Sequence, residues 1–191
     1  RAKYHIVINP DIYFSEGTIE TLTKYMDNHK DIGWVMPKIL YPSGEVQHLC
    51  KLLPTPYDLI IRRFLPKRLL GRVRDRFNPK ISDRELNMPY LSGCFMFLRV
   101  SALRKVGLFD ERFFMYGEDL DLSRRMHRQY KTIYYPGAAV VHAHRAESYH
   151  SGKMLWVHIE NIAIYFNKWG WFFDSERRKV NKKVRREILK R

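Results

Sequence analysis

The sequence predicts an α/β domain with a mixed sheet, followed by a helical, basic C-terminal tail. Three observations in its 191 residues predict this. Short β-branched and aromatic runs read as strands, while other stretches repeat apolar residues at helical spacing. Pro, Gly, Asn, Asp and Ser separate the two kinds of segment, as turns require. From residue 151 onward only the helical period remains. Strands mixed with helices imply a sheet covered by helices, and 45% apolar content suffices for one core.

The elements follow in order. Tyr4–Ile8 is expected as a buried strand ending at Asn9-Pro10-Asp11. Ser15 is expected to cap a helix carrying Ile19, Leu22 and Met26. Gly33–Tyr41 reads as a strand, Pro42-Ser43-Gly44 as a turn and Glu45–Leu53 as a returning strand. Residues 54–89, punctuated by Pro54, Pro56, Pro66, Pro79 and Pro89, read as a basic amphipathic insertion. Tyr57, Ile60, Ile61 and Phe64 share one face there, and Leu69, Leu70, Val73 and Phe77 another. Tyr90–Arg99 is a strand interrupted at Ser92-Gly93. Ser101 opens a short helix that Gly107 closes. The aromatic loop Phe109–Gly117 leads into Glu118-Asp119-Leu120-Asp121, the first turn of a helix expected to reach Tyr130. Ile133–Tyr135 and Ala139–His144 read as strands around Pro136-Gly137. Helices are expected over Lys153–Trp169 and 176–191. The expected division is a body at 1–150, with its insertion, and a tail at 151–191.

Composition narrows the function classes. Residues 51–80 and 176–191 each hold nine Lys/Arg against two acids, so they carry +14 of the net +15. Basic segments on a neutral body point to contact with an anionic surface such as lipid headgroups, or else to a solvated face. No apolar run reaches the length of a membrane span, and no signal segment is recognisable. The start at Arg1-Ala2-Lys3, directly before a strand, is expected to be a cut in a longer protein. Cys50 and Cys94 form neither a disulfide framework nor a zinc ribbon, so a reducing, cytoplasmic setting is expected, and a peripheral position on the inner face of the plasma membrane is compatible with it.

Four places carry candidate chemistry. Asn9-Pro10-Asp11 follows a strand, where ligands bind in open α/β sheets; Asp11 offers a carboxylate to a hard divalent cation, and the alternative is an ordinary turn. Glu118 and Asp119, behind an aromatic loop, offer a general base raised by burial and like charge; the alternative is compensation of the helix dipole. Asp121 and Arg125 are an i,i+4 pair, and Arg125 is also counted among residues facing donor or acceptor. His142 and His144 fall on one strand face, so either can complete a metal shell with Asp11; the alternative, favoured for such a pair taken alone, is a surface or satisfied-core feature. Ser92-Gly93-Cys94 is a place where a backbone or a substrate approaches closely, or a bulge.

The order of these pieces is more specific than any one of them. Asn-Pro-Asp, then Ser-Gly-Cys-Phe-Met-Phe-Leu, then the stretch 106–125 (VGLFDERFFMYGEDLDLSRR), then Val-Val-His resembles family 2 inverting glycosyltransferases, nearest the bacterial rhamnosyltransferase-like branch. The resemblance covers roughly residues 4–148 and implies a partial GT-A fold. It also implies a nucleotide-diphosphate sugar donor, a Mg²⁺ or Mn²⁺ ion, a saccharide or polyprenyl-diphosphate-linked acceptor, and a place in surface polysaccharide synthesis. By the resemblance, Asp11 ends the metal-binding Asp-x-Asp motif, with Asn9 in place of its first Asp. Asp119 matches the general base with Glu118 orienting it, and His142 matches the metal-ligand histidine with His144 as fallback. Ser92, Gly93 and Cys94 match the wall of the sugar pocket. The family's nucleobase-binding strands would precede Tyr4, so this chain alone is expected to bind nucleotide poorly and to be inactive. Two other classes remain open: a nucleic-acid-binding module stacking bases on Trp169, Trp171 and Phe172, which is not the expected partner, and a catalytically dead membrane-surface module.

Overall fold

The structure, a computed structural model, describes residues 2–61, 83–143 and 152–189. Six strands form one sheet: β1 (Tyr4–Ile8), β2 (Ile12–Tyr13), β3 (Ile32–Leu40), β5 (Leu86–Asn87), β7 (Phe95–Arg99) and β8 (Lys131–His142). A small second sheet pairs β4 (Cys50–Lys51) with β6 (Tyr90–Leu91). The main path is β1-β7-β3-β8-β2, with β5 also on β8. Because β7 runs antiparallel to both β1 and β3, and β8 runs parallel to β3, strands β1, β3 and β8 share one direction.

Sequence explains which strands lie at the centre. β3 is an almost unbroken apolar run, and its side chains are buried on both faces, as a central strand requires. Trp34, Val35 and Met36 pack there with Phe95, Phe97, Leu98 and Ile133. Helix α1 (Thr18–Asn28) buries Leu22, Tyr25 and Met26 against this core. Helix α2 (Val100–Val106) is short and closes at Gly107, whose φ of 89° suits a residue without Cβ. Helix α3 (Glu118–His127) packs beside β6, β8 and β3.

Several boundaries differ from the sequence expectation. Tyr4–Ile8 is a strand, but an edge one with Ile6 and Ile8 exposed, because β7 covers only one side of it. The cap of α1 is Gly17 rather than Ser15, which contributes only its carbonyl, to Thr18 N–H. The return after Gly44 shrinks to a single bridge, Leu40–Val46, and the two residues of β4. The interruption at Ser92-Gly93 sends the two halves of its strand into different sheets. Pro136-Gly137 does not divide two strands. It is absorbed in β8 as a shift of register opposite Pro37 and Lys38. Helix α3 stops at His127, short of Tyr130. Of the insertion's two apolar stripes, Tyr57–Ile61 is a π-helical turn, and the remainder lies outside the described residues.

The tail is firmly seated. Helix α4 (Gly152–Trp169) places Ile162, Tyr165 and Phe166 against Leu53, Phe113 and Leu120. Helix α5 (Ser175–Leu189) adds Val184 to the main core. Arg124, from α3, is buried and bonds Asp174 at 2.8 Å, Glu176 at 3.0 Å and Tyr165 Oη at 3.1 Å. Asn181 holds the backbone of Leu53 from both sides, at 2.9 and 2.8 Å. Trp169 lies under the Arg124 guanidinium at 4.2 Å and donates its Nε1–H to Asp121.

Candidate functional site

Shared strand direction brings the candidate residues to one edge of the sheet. The carboxyl ends of β1 and β8 and the start of antiparallel β7 all lie there. Asn9 N–H donates to Cys94 O at 3.0 Å, and Ala143 N–H to Asp11 O at 2.9 Å. Gly93 N–H donates to Asp119 Oδ2 at 2.9 Å. A continuous set of bonds therefore links Asn9, Asp11, the 92–94 turn, Asp119 and the end of β8. Carboxyl ends of strands in open α/β sheets are where ligands bind.

Asp119 sits on the first turn of α3 and is held on three sides. Oδ1 accepts from Leu120 N–H at 2.7 Å, and Oδ2 accepts from Gly93 N–H and, at 3.4 Å, from Tyr90 Oη–H. Burial, and then the charge of Glu118, push its carboxyl above the usual carboxylate range; Lys51 and the two amide bonds oppose that shift without cancelling it. Glu118 Oε2 accepts from Gly117 N–H at 2.9 Å, so its negative charge is held at the helix N-terminus beside Asp119. The close approach explains the glycine at 93. A Cβ there would lie 3.0 Å from Asp119 Cβ and 2.8 Å from Met96 Cε. The neighbours that Gly93 admits are the side chains of Met96 and Asp119.

A second pair stands at the end of β8. His142 Nε2 lies 3.4 Å from Asp11 Oδ1, with His142 buried and Asp11 half-exposed. Gln47 determines how the imidazole faces. Its Nε2 donates to His142 O at 2.7 Å and Leu40 O at 3.2 Å, leaving its Oε1 toward His142 Nδ1 at 3.1 Å. An amide oxygen accepts only, so Nδ1 carries the proton and Nε2 faces the carboxylate. A lone pair opposite a carboxylate calls for a cation, either a proton or a metal ion. Two oxygen and nitrogen donors fit a divalent ion that takes the rest of its shell from phosphate oxygens and water. No group of three or more His, Cys, Asp or Glu gathers among the described residues, so side chains alone do not enclose an ion.

Other expected site residues are placed differently. Arg125 is engaged by the protein itself. Its Nε donates to Asp121 Oδ2, Nη1 to the carbonyls of Val106 and Gly107, and Nη2 to Leu108 O, each at 2.8 Å. Cys94 is buried in the core, where burial pushes its thiol up to about 11, and its carbonyl accepts from Asn9 N–H. Ser92 is half-buried beside it, and Asn9 is exposed at the rim. His144 lies outside the described residues. Sequence reasoning missed Lys51, Tyr90 and Gln47. Lys51 lies 5.0 Å over the Tyr90 ring, within electrostatic reach of Asp119. Their only signal was position within strands that cross near the site, and nothing in the residue types marked them. Trp169 and Trp171 donate their ring N–H groups to Asp121 and Asn167 and pack on Arg124 and Phe166, so two of the three proposed base-stacking rings are engaged internally.

Comparison with known proteins gives three relationships. The chain is 33% identical over 150 residues to the N-acetylglucosaminyl-diphospho-decaprenol L-rhamnosyltransferase of Mycobacterium tuberculosis, covering 75% of this chain and 47% of that protein. It is 22% identical over 180 residues to the rhamnosyltransferase WbbL of Escherichia coli strain K12, covering 94% of this chain and 62% of the relative. The chain thus spans about half the length of the mycobacterial relative. Among solved structures it is similar to GalNAc-T7, crystallised with UDP, GalNAc and Mn²⁺, at a TM-score of 0.57 and 14% identity over 87% of this chain and 33% of that one. A scan against protein-family models matches none.

Proposed function

We propose that this chain, a rhamnosyltransferase-like segment of family 2 glycosyltransferase type with a partial GT-A fold, carries the acceptor-activating and diphosphate-binding side of an inverting sugar transfer. The donor is a nucleotide-diphosphate sugar, rhamnosyl by the relatives' names, and the acceptor a saccharide or a lipid-diphosphate-linked saccharide. The observation that carries this reading is the placement of Asp119: a raised-pKa carboxylate held by Gly93 and Leu120 amides, on the same sheet edge as Asp11 and His142.

Asp119 takes the proton of the acceptor hydroxyl as that oxygen attacks the anomeric carbon from the face opposite the leaving diphosphate, which inverts the centre. Its raised pKa makes it a stronger base than an exposed aspartate, while the two amide bonds fix its direction. Glu118 completes the helix start and adds negative charge. Asp11 and His142 would hold a Mg²⁺ or Mn²⁺ ion, which when bound neutralises the diphosphate. Gln47 fixes the imidazole for that purpose. The work takes place on the cytoplasmic side, where nucleotide sugars are found, in the assembly of a surface polysaccharide.

The test uses the full-length protein. General-base assistance is typically worth ~10²–10⁴ in rate, so Asp119→Asn should lower kcat by that factor while donor-induced thermal stabilisation survives. Asp11→Ala should abolish the manganese-dependent part of that stabilisation. An Asp119→Asn enzyme with near-normal kcat would overturn the assignment. A nucleotide-sugar panel, screened by thermal shift with and without Mn²⁺, identifies the donor.

A further inference from the structure

Helix α5 and the chain before it enclose a groove that the sugar-transfer reading does not use. The groove has a volume of 970 Å³ and lies between residues 52–58 and α5, away from Asp119. Its α5 wall carries Arg178, Lys182, Arg185 and Arg186, spaced so that all four share one helix face, and all are exposed. Among the described residues none of the four forms an ion pair. Of the two acids of α5, Glu176 is directed elsewhere and binds Arg124 and Arg128. Among the groove's described lining residues the carboxylate is Asp58, which accepts hydrogen bonds from Thr55 N–H at 2.8 Å and Thr55 Oγ1–H at 2.6 Å.

Beside these cations stand exposed apolar side chains. At the α4–α5 bend Phe172 is 70% and Phe173 94% exposed, and Leu189 projects at the far end of α5. Adjacent exposed phenylalanines are unfavourable in water, and four unpaired cations beside them would repel one another without a counter-charge. Both are satisfied at one kind of surface: apolar groups enter the boundary below the headgroups while Lys and Arg meet the phosphates. Nucleic acid satisfies the charges but gives Leu189 no partner.

We infer that the α5 face, with Phe172 and Phe173 at its leading end, docks this protein on an anionic lipid bilayer. The inference goes beyond the sugar-transfer reading and stands without it. No helix among the described residues is long and apolar enough to cross a membrane, so the contact would lie on the surface.

Flotation with vesicles tests this directly on the 191-residue chain. The vesicles are pure phosphatidylcholine, or phosphatidylcholine mixed equally with phosphatidylglycerol. The chain should float with the mixed vesicles and not with the neutral ones. Each cation near such a surface is worth about fivefold in partitioning, so Arg178→Gln/Lys182→Gln/Arg185→Gln/Arg186→Gln should lose at least ~100-fold. Phe172→Ser/Phe173→Ser should weaken flotation severalfold and leave the remainder fully reversible by salt. Every substituted side chain is exposed, and circular dichroism confirms the fold. A control that removes four exposed charges elsewhere, Lys24→Gln/Lys30→Gln/Arg104→Gln/Lys105→Gln, should float like the parent. The inference is overturned if the mixed vesicles are not bound, if the control loses as much as the α5 variant, or if the phenylalanine variant floats unchanged. It is also overturned if an oligonucleotide of mixed sequence binds α5 more tightly than the mixed vesicles do.

Discussion

Asp174→Asn should destabilise the chain by about 3 kcal/mol, the low end of what loss of one partner from a buried ion pair costs. Arg124 and Asp174 are 2% and 3% exposed and meet at 2.8 Å. Asp174 also accepts from Arg177 N–H at 2.9 Å, which makes it the cap of α5. Asparagine caps as well as aspartate does, so this substitution removes the charge and leaves the cap. Buried Arg177 then loses Asp174 as its charge partner, and buried Arg124 keeps one carboxylate, Glu176, which is 33% exposed and also pairs with Arg128. Glu176 can still pair with Arg124, and that places the loss near 3 rather than 5 kcal/mol. For a chain of this length each kcal/mol lowers Tm by about 2–4 °C, so the drop should be about 6–12 °C at pH 7. Burial opposes ionisation of Asp174, but the bonds from Arg124 and Arg177 outweigh it and hold its pKa below the ordinary value of 3.8. A depressed carboxylate contributes stability above its unfolded pKa and loses it as pH falls through the folded one. The gap between parent and variant should therefore be full at pH 7 and close below about pH 4. Urea titrations at several pH values measure it, with Glu176→Gln as a comparison expected to cost less than ~1 kcal/mol. Asp174→Asn within ~1 kcal/mol of the parent, or a gap independent of pH, refutes the reasoning.

Three further outcomes follow from the same structure. Gly93→Ala should displace Asp119, since the new Cβ would stand 3.0 Å from its Cβ; kcat of the full-length enzyme should fall at least tenfold, with a stability loss of about 1–3 kcal/mol from overpacking. Arg125→Ala should lower Tm by freeing the carbonyls of Val106, Gly107 and Leu108, yet leave donor affinity unchanged, as isothermal titration would show. Both cysteines should resist a thiol reagent at pH 7–8 in the folded chain and react on unfolding, because burial raises Cys50 and pushes Cys94 up to about 11, so the thiolate is scarce until pH rises past that value.

Much of this molecule was legible in one dimension. The apolar run of β3, the helical periods of α1, α4 and α5, the Gly107 cap and the break at Ser92-Gly93 are local matters, decided by side-chain pattern and backbone sterics. The chain order of Asn-Pro-Asp, Ser-Gly-Cys, Glu-Asp and Val-Val-His was enough to point to a glycosyltransferase, and the relatives and fold agree. Only the folded chain decides what each of those residues touches. The close approach of Asp119 to Gly93 joins positions 26 residues apart, and Gln47 governs His142 across 95. Arg125 clamps the end of the helix before it because three carbonyls converge on its guanidinium. Arg124, one more cation in a charged helix, became the buried anchor of the tail. Pattern reports whether a side chain is apolar or charged, whereas its partners are set by packing between distant segments, and that information is carried by no single stretch of the chain.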